Sequence, residues 1–225
     1  MNVNTLKDGS AVTRFGRSLS GWFDNSAVTQ EAGDAKHIDW LRVVPYFVLH
    51  LGCFGVLWVG WSWTSVGVAL TLYAVRMLAI TGFYHRYFSH KAFRTSRAMQ
   101  FLFALIGASA VQRGPLWWAS QHRHHHTHAE DEQDPHSPHR HGFLWSHIGW
   151  FMARGNFTTR MAVVPDLAKY PELRFLDRFD ALVPVLLALG LYATGELLAY
   201  NAPALATSGL QLLVWGFAIS TVVLH

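Results

Sequence analysis

Two short stretches of the sequence, "YHRYFSH" at 84–90 and "HRHHH" at 122–126, concentrate histidines that could bind a metal ion. Between positions 118 and 136, six of the nineteen residues are histidine. Neutral imidazole nitrogen suits Zn, Cu, Fe and Ni. The sequence offers no Ser-His-Asp set, phosphate-binding loop or zinc-finger spacing that would indicate a different chemistry. The pattern therefore predicts a metal centre.

Helix geometry divides the histidines of the second stretch into two groups. In an α-helix, His122 lies three and four positions before His125 and His126, so these three share one stripe. His124 lies about 200° around the helix from His122 and points away. We therefore expect His124 not to be a ligand.

The first stretch is harder to place around a single ion. His85 and His90 are five residues apart, and on an α-helix they diverge by roughly 140°. This divergence favours a centre with two ions that lie between several helices. The predicted metal ligands are His85, His90, His122, His125 and His126.

The polar residues that surround these ligands are expected to have other roles. A histidine-rich tract can also form a loose metal-buffering loop. We expect His128 and His136 to be outer-shell or surface residues. We expect the acidic run, formed by Glu130, Asp131, Glu132 and Asp134, to be a solvated loop.

The composition indicates the surroundings in which this centre must be held. Hydrophobic residues make up 51% of the 225-residue chain and charged residues only 14%, whereas soluble domains carry about 25% charged residues. The formal charge of +4 comes from basic residues scattered among aromatic ones, so no nucleic-acid partner is expected. The single cysteine excludes a disulfide framework within the chain. The sequence is typical of a membrane-embedded protein.

Apolar runs predict four transmembrane helices, at about 44–63, 66–83, 181–199 and 206–224, because a span needs roughly 20 apolar residues. The run at 101–111 has too few residues to cross, so we expect a half-inserted helix there. The alternative to these spans is a set of buried helices in a large soluble core.

The positions of Lys and Arg predict the orientation. Five of the eighteen precede the first span and twelve lie between 86 and 178, while the two short connectors between spans have none. Basic residues mark the cytoplasmic side of a membrane protein. We therefore expect a flexible cytoplasmic segment at 1–40, both histidine stretches and both termini on the cytoplasmic face, and an all-α multi-pass fold with a cytosolic helical cap.

The motifs "LHLG", "HRYFSH", "HRHHH", "DPHSP" and "GFLWSHIGW" resemble the membrane fatty-acid desaturases, in particular the acyl-CoA Δ9 (stearoyl-CoA) type, over about 40–225. In that family a mushroom-shaped bundle of four transmembrane helices carries a cytosolic cap, and histidine boxes hold two irons. The resemblance matches His85 and His90 to the first box. It matches His122, His125 and His126 to the second, and Gln112 and Trp118 to positions that line the bent acyl tunnel.

The resemblance implies an O2-dependent di-iron oxidoreductase of lipid and unsaturated fatty-acid biosynthesis. Such an enzyme introduces a cis double bond, of Δ9 position, into a saturated long chain carried as acyl-CoA or acyl-lipid. The implied partners are membrane lipid and a ferredoxin- or cytochrome b5-like electron donor with its reductase. No catalytic residue beyond the metal ligands is implied.

Two departures from the family pattern limit these expectations. A third box of the "HNxHH" kind and a further upstream histidine are absent, so only five of the nine expected histidines occur. The sequence therefore predicts a desaturase domain at 41–225 that is C-terminally incomplete and inactive alone. The second departure is "WFMARGNFTTR", which lacks the Lys-rich run that contacts coenzyme A in animal members.

Two rival functions remain. A related non-haem di-iron membrane hydroxylase has similar boxes, and product analysis for alcohol or alkene would separate the two. A membrane metal-binding protein or transporter would need ionisable ligands within its spans. The predicted spans offer only Arg76, His50 and Glu196.

Overall fold

A computed structural model describes residues 16, 19–27 and 36–225 of the protein. Within these residues the secondary structure is helical, with a single isolated β-bridge between Ile38 and Ala153 and no strand. The predicted all-α class is therefore confirmed. The predicted flexible segment at 1–40 lies largely outside the described residues.

The longer helices of the described residues, in chain order, are α1 (Val44–Val59), α2 (Trp63–Ser89), α3 (Arg97–Ala108), α4 (Pro115–Thr127), α5 (Pro171–Arg178), α6 (Leu182–Asn201) and α7 (Gly209–Leu224). Short helical turns connect them at Asn25–Ala27, Pro138–His141, Trp145–Gly149, Trp150–Met152, Arg154–Asn156, Met161–Val163, Pro165–Ala168 and Pro203–Leu205.

Four apolar helices occupy the four predicted spans, but only two of them are long enough to cross a membrane. These two are α2 with 27 residues and α6 with 20, whereas α1 and α7 are shorter. The membrane-spanning role of α1 and α7 therefore stays a prediction. Helix α2 also extends past the predicted 66–83, because its last part, Ala79–Ser89, continues as π-helix.

The two short connectors meet at one end of the apolar bundle. Ser62 Oγ donates to Gln211 Oε1 at 2.7 Å, and Thr64 Oγ1 donates to the carbonyl of Leu205 at 3.1 Å. A third contact runs from the Trp215 indole N–H to the carbonyl of Gly60 at 2.8 Å. The two connectors therefore share one end of the bundle, while the side of the membrane that this end faces stays a prediction.

A fully buried arginine, Arg76, ties the bundle together. Each of its five N–H donors meets an oxygen: the carbonyls of Leu72, Ser109 and Gly216 and the hydroxyls of Thr221 and Ser220. Charged side chains within apolar spans commonly bind backbone carbonyls in this way. Arg76 thus joins α2 both to the turn after α3 and to α7.

The end of α2 that carries the first histidine stretch packs against α4 and α5. A buried apolar cluster includes Tyr84 and Phe88 of α2, Leu116 of α4, and Leu173 and Leu176 of α5. Helix α3 has only twelve residues, in agreement with the short apolar run, although its insertion into the membrane stays a prediction. The cluster brings α2, α4 and α5 together around the histidines.

Candidate metal centre

His85 and His90 converge, contrary to the divergence expected on an α-helix. The end of α2 is π-helical, and the backbone N–H of His90 bonds to the carbonyl of His85, five residues earlier, at 3.1 Å. An i→i+5 turn places residues five apart on one face. The two ring centroids are 4.5 Å apart. The π-helical turn was the local feature that α-helical spacing could not predict.

Helix α4 adds His122 and His126 to this pair. The Nε2 of His122 lies 3.0 Å from the Nε2 of His90 and 3.0 Å from the Nε2 of His126. One ring nitrogen from each of the four side chains lies within 4.8 Å of the others. We call His85, His90, His122 and His126 the four-histidine cluster.

The donors of the four-histidine cluster fit a metal ion. Metal–imidazole bonds are about 2.1 Å long, so two ligands at right angles have nitrogens about 3.0 Å apart, which is the observed spacing. Burial, followed by the neighbouring imidazoles, lowers the pKa of His122 to about 3, and burial likewise lowers the pKa of His126. Neutral imidazoles present the lone pairs that a metal requires.

His125 leaves the stripe that it was predicted to share with His122 and His126. Its Nδ1 lies 3.0 Å from Oδ1 of Asp134, and its ring centroid lies 4.2 Å from that of His136. We call His125, Asp134 and His136 the aspartate group. A carboxylate that accepts from Nδ1 sets the tautomer and leaves Nε2 free to bind a metal.

The sequence-based interpretation missed Asp134, whereas the contact of His136 with His125 fits the outer-shell position expected for His136. Asp134 is fully buried, so the prediction of a solvated loop is wrong for this residue. Its two carboxylate oxygens also accept the backbone N–H of Glu130 at 3.2 Å and of His136 at 3.1 Å. Nothing in a run of four acids within five positions singles out Asp134, because its burial depends on how the loop folds back on α4.

His124 points away from the four-histidine cluster, as predicted. Its Nε2 lies 3.0 Å from the carbonyl of Gln133, and its ring lies 4.5 Å from that of His128. Among the four histidines of "HRHHH", His124 therefore contacts neither the four-histidine cluster nor the aspartate group.

The arginine within the same motif holds the two histidine stretches together. Arg123 donates to the carbonyls of Phe88 and Ser89, at 2.6 and 3.1 Å, at the end of α2. Its guanidinium also binds both carboxylate oxygens of Asp166, at 2.7 and 3.2 Å. Bidentate arginine–carboxylate pairs fix the relative orientation of the two side chains as well as their distance. Arg123 thereby sets α4 against the end of α2.

Gln112 and Trp118 lie beside the four-histidine cluster. The Trp118 indole N–H donates to Gln112 Oε1 at 3.3 Å. The Trp118 ring stacks on His122 with a centroid distance of 4.9 Å and an angle of 21°. The Trp118 ring therefore lies between Gln112, which it meets through a hydrogen bond, and His122, on which it stacks.

A cavity of about 320 Å³ opens over the four-histidine cluster. Its lining is polar and consists of Ser89, His90, His122, Arg123, His126 and Thr127. Three of the four histidines, His90, His122 and His126, therefore line this cavity.

The sequence of the chain also matches known proteins. Residues 61–225 match the model of the fatty acid desaturase family. The chain is 38% identical to an sn-2 palmitoyl-lipid 9-desaturase of Nostoc over 75% of its length and 61% of the relative's. It is 39% identical to a chloroplastic palmitoyl-monogalactosyldiacylglycerol delta-7 desaturase of Arabidopsis thaliana, over 72% of the chain and 41% of the relative.

A third relative, an sn-1 stearoyl-lipid 9-desaturase of Anabaena variabilis, is 35% identical over 80% of the chain and 62% of its own length. The chain thus spans between 41% and 62% of the length of these relatives. The family match contains both the four-histidine cluster and the aspartate group. The protein therefore belongs to the fatty acid desaturase family.

Proposed function

We propose that this protein is a membrane desaturase that converts a saturated bond of a long acyl chain into a cis double bond at the Δ9 position. The observation that carries the proposal is the four-histidine cluster, whose nitrogens are spaced for one metal ion and which lies directly against Trp118. The relatives named 9-desaturases support the bond position.

The described residues offer four histidine donors to one iron and part of a donor set to a second. The four-histidine cluster would hold one ion, and His125 would provide Nε2 to the other. Bound iron would supply the oxidising power, with O2 and two electrons, that removes two hydrogens from an unactivated pair of methylenes. Asp134 keeps the proton of His125 on Nδ1 and so preserves the ligand form of that ring.

The remaining residues bind and orient the acyl chain. Trp118 presents an apolar face beside His122, and Gln112 holds the Trp118 indole through a hydrogen bond. An acyl chain that lies along Trp118 and Gln112 places one carbon pair next to the nitrogens of the four-histidine cluster. Such alignment determines which bond reacts, because a displacement of about 1 Å lowers the rate by roughly a hundredfold.

We further propose that the acyl chain is carried by a membrane lipid. The names of the three relatives specify lipid-bound acyl groups. The segment at 150–160, whose sequence is "WFMARGNFTTR", has no lysine and only two arginines. Of these, Arg154 pairs with Asp39 at 3.6 Å. This segment therefore presents little positive charge for the phosphates of a nucleotide carrier.

The electron donor in this proposal is a ferredoxin- or cytochrome b5-like protein with its reductase, which acts from the cytoplasmic side. The Lys and Arg distribution supports a multi-pass arrangement with both histidine stretches cytoplasmic. The cavity beside His90, His122 and His126 is lined by polar side chains, and we propose that the donor approaches there.

Product analysis of the complete gene product tests the proposal. Membranes that contain it would be supplied with reductant, O2 and a saturated acyl group, either as phospholipid or galactolipid or as acyl-CoA. We expect an alkene between carbons 9 and 10, formed faster from the lipid substrate, in gas chromatography with mass spectrometry. An alcohol product would instead identify a hydroxylase, and faster turnover of acyl-CoA would refute the lipid carrier.

Alanine variants of helix α4 test the metal ligands. We expect His122→Ala and His126→Ala each to abolish desaturation and to lower iron per chain, because both belong to the four-histidine cluster. His124→Ala is the matched control on the same helix, and it should retain activity and iron since its ring binds Gln133. Equal loss in all three variants would contradict this assignment and favour a loose chelating loop.

A further inference from the structure

Helix α4, which carries three of the candidate ligands, begins against a buried carboxylate from α5. Asp177 is only 3% exposed, and its Oδ1 accepts the backbone N–H of Trp117 at 2.6 Å. Trp117 is the third residue of α4, so this N–H has no acceptor within the helix. A carboxylate at this position also suits the positive end of the helix dipole.

The helix start and the carboxylate are in close contact. A Cβ added to Gly114, which precedes α4, would lie 2.4 Å from Cα and 2.5 Å from Oδ1 of Asp177. The φ angle of Gly114 is −80°, so glycine is required for the approach of the two segments and not for its backbone angles. The second carboxylate oxygen accepts the Thr159 hydroxyl at 2.6 Å.

The turn before α4 is strained and held in place by the same region. Val111 and Arg113 have φ angles of 62° and 70°, which are uncommon outside glycine and especially for a β-branched residue. The Arg113 guanidinium donates to Asp180 Oδ2 at 2.8 Å and to the carbonyl of Phe157 at 2.9 Å. Strain of this kind persists only where the surrounding contacts maintain it.

The residues held on both sides of Gly114 are those that face the acyl chain in the proposed function. Gln112 lies between Val111 and Arg113 in the strained turn, and Trp118 directly follows Trp117. The hydrogen bond between Trp118 and Gln112 joins the turn to the helix. The Trp118 ring then lies on His122. We call Gln112 and Trp118 together the Gln112–Trp118 wall. A shift of Asp177 is therefore transmitted to this wall and to His122.

We propose that Asp177 is a positioning residue that sets the place of the Gln112–Trp118 wall relative to the four-histidine cluster, and thereby selects the carbon pair that reacts. The inference rests on the proposed function. Asp177 acts through the Trp117 backbone, because within the described part of the chain its carboxylate accepts from Trp117 and Thr159 and not from the candidate ligands or Trp118. Its backbone carbonyl accepts from Asn25.

Three variants of the complete protein test this role. Asp177→Ala removes the two carboxylate oxygens that accept from Trp117 and Thr159. Gly114→Ala pushes the start of α4 away from Asp177. For both we expect a several-fold larger share of products with the double bond at neighbouring carbons, together with a rate about tenfold lower. Asp177→Asn should keep the double bond at the wild-type position. Its amide oxygen can still accept from the Trp117 N–H, and its NH2 can donate to the Thr159 hydroxyl.

A control variant and a second readout separate positioning from general stability. Glu172→Gln removes a carboxylate from the same helix, where Glu172 binds the exposed Arg97, and should leave the products unchanged. Each purified protein is also titrated with Co²⁺ and its visible absorption spectrum is recorded. We expect a changed spectrum for Asp177→Ala and Gly114→Ala, and a wild-type spectrum for Asp177→Asn.

The outcomes of these experiments are distinct. If Asp177→Ala and Gly114→Ala lower activity but keep both the double-bond position and the cobalt spectrum, Asp177 is only structural and the inference is wrong. If the Asp177→Ala protein does not insert into the membrane, the products and spectra of Gly114→Ala and Asp177→Asn still show whether Asp177 positions the wall. If the wild type forms no alkene, the proposed function fails, while the cobalt spectra still test the effect of Asp177 on the four-histidine cluster.

Discussion

Two buried carboxylates hold the two ends of helix α4 in different ways. Asp177 receives the N–H of Trp117 at the start of the helix, and Asp134 receives the ring of His125 near its end. Both are almost completely inaccessible, with exposures of 3% and 0%. Their pKa values nevertheless shift in opposite directions. The pKa of Asp177 rises to about 6, whereas that of Asp134 falls.

The difference lies in the donors that surround each carboxylate. Burial raises the pKa of Asp177, the nearby Asp180 adds to the rise, and one hydroxyl and one backbone N–H offset only part of it. Burial also acts to raise the pKa of Asp134, but the hydrogen bond from His125 and those from the His136 and Glu130 backbones outweigh it. Burial alone therefore does not decide whether a carboxylate is charged, because the number and kind of donors do.

The largest effect on metal binding is expected from Asp134→Ala. This change removes the acceptor of His125 and leaves the backbone N–H groups of Glu130 and His136 without theirs. Loss of such a supporting partner lowers metal affinity roughly 10- to 100-fold, which a Co²⁺ titration against a competing chelator would measure. Asp131→Ala is the control, since Asp131 pairs with His128 at the surface. Similar losses in both variants would contradict a special role for Asp134.

The largest effect on folding stability is expected from pH acting on Asp177. The pKa of Asp177 is about 6 in the folded protein, against a reference value of 3.8. At pH values between these two, the folded state keeps a proton that the unfolded state has lost. The stabilisation is present below pH 4 and is lost as the pH rises through 6.

Thermal unfolding in detergent from pH 4 to 7 would measure this loss against Asp177→Asn, whose amide does not titrate. Two pKa units correspond to about 3 kcal/mol, so the wild type should lose that stability relative to the variant as the pH rises. Parallel curves for the two proteins would show that Asp177 does not titrate in this range.

The smallest effect is expected from a third carboxylate that shares helix α5 with Asp177. Glu172 binds the exposed Arg97 through both oxygens, at 2.6 and 2.8 Å. Exposed ion pairs contribute little to stability because water and salt screen them. We expect Glu172→Gln to leave the thermal midpoint unchanged within error. A clear fall would mean that the surface pair, and not burial with specific donors, anchors α5.

Much of the helical framework and the membership of the site could be predicted from local sequence. The spacing of His122 and His126 on one helix, and the outward direction of His124, follow from α-helical geometry and are found in the structure. The convergence of His85 and His90 could not be predicted in this way. It depends on a π-helical turn, which the packing of α2 against α3 and α4 stabilises and which residue spacing does not reveal.

The sequence by itself determined the apolar helices, the histidine-rich stretches and the resemblance to desaturases, because hydrophobic length and helical spacing are local properties. Only the tertiary structure decided the partners of those residues. It separated His125 from the four-histidine cluster, buried Asp134 among donors from its own loop, and brought Asp177 to the start of α4 from sixty residues further along the chain. These contacts join segments that are distant in sequence, so their geometry follows from how the helices pack and not from the spacing within any one of them.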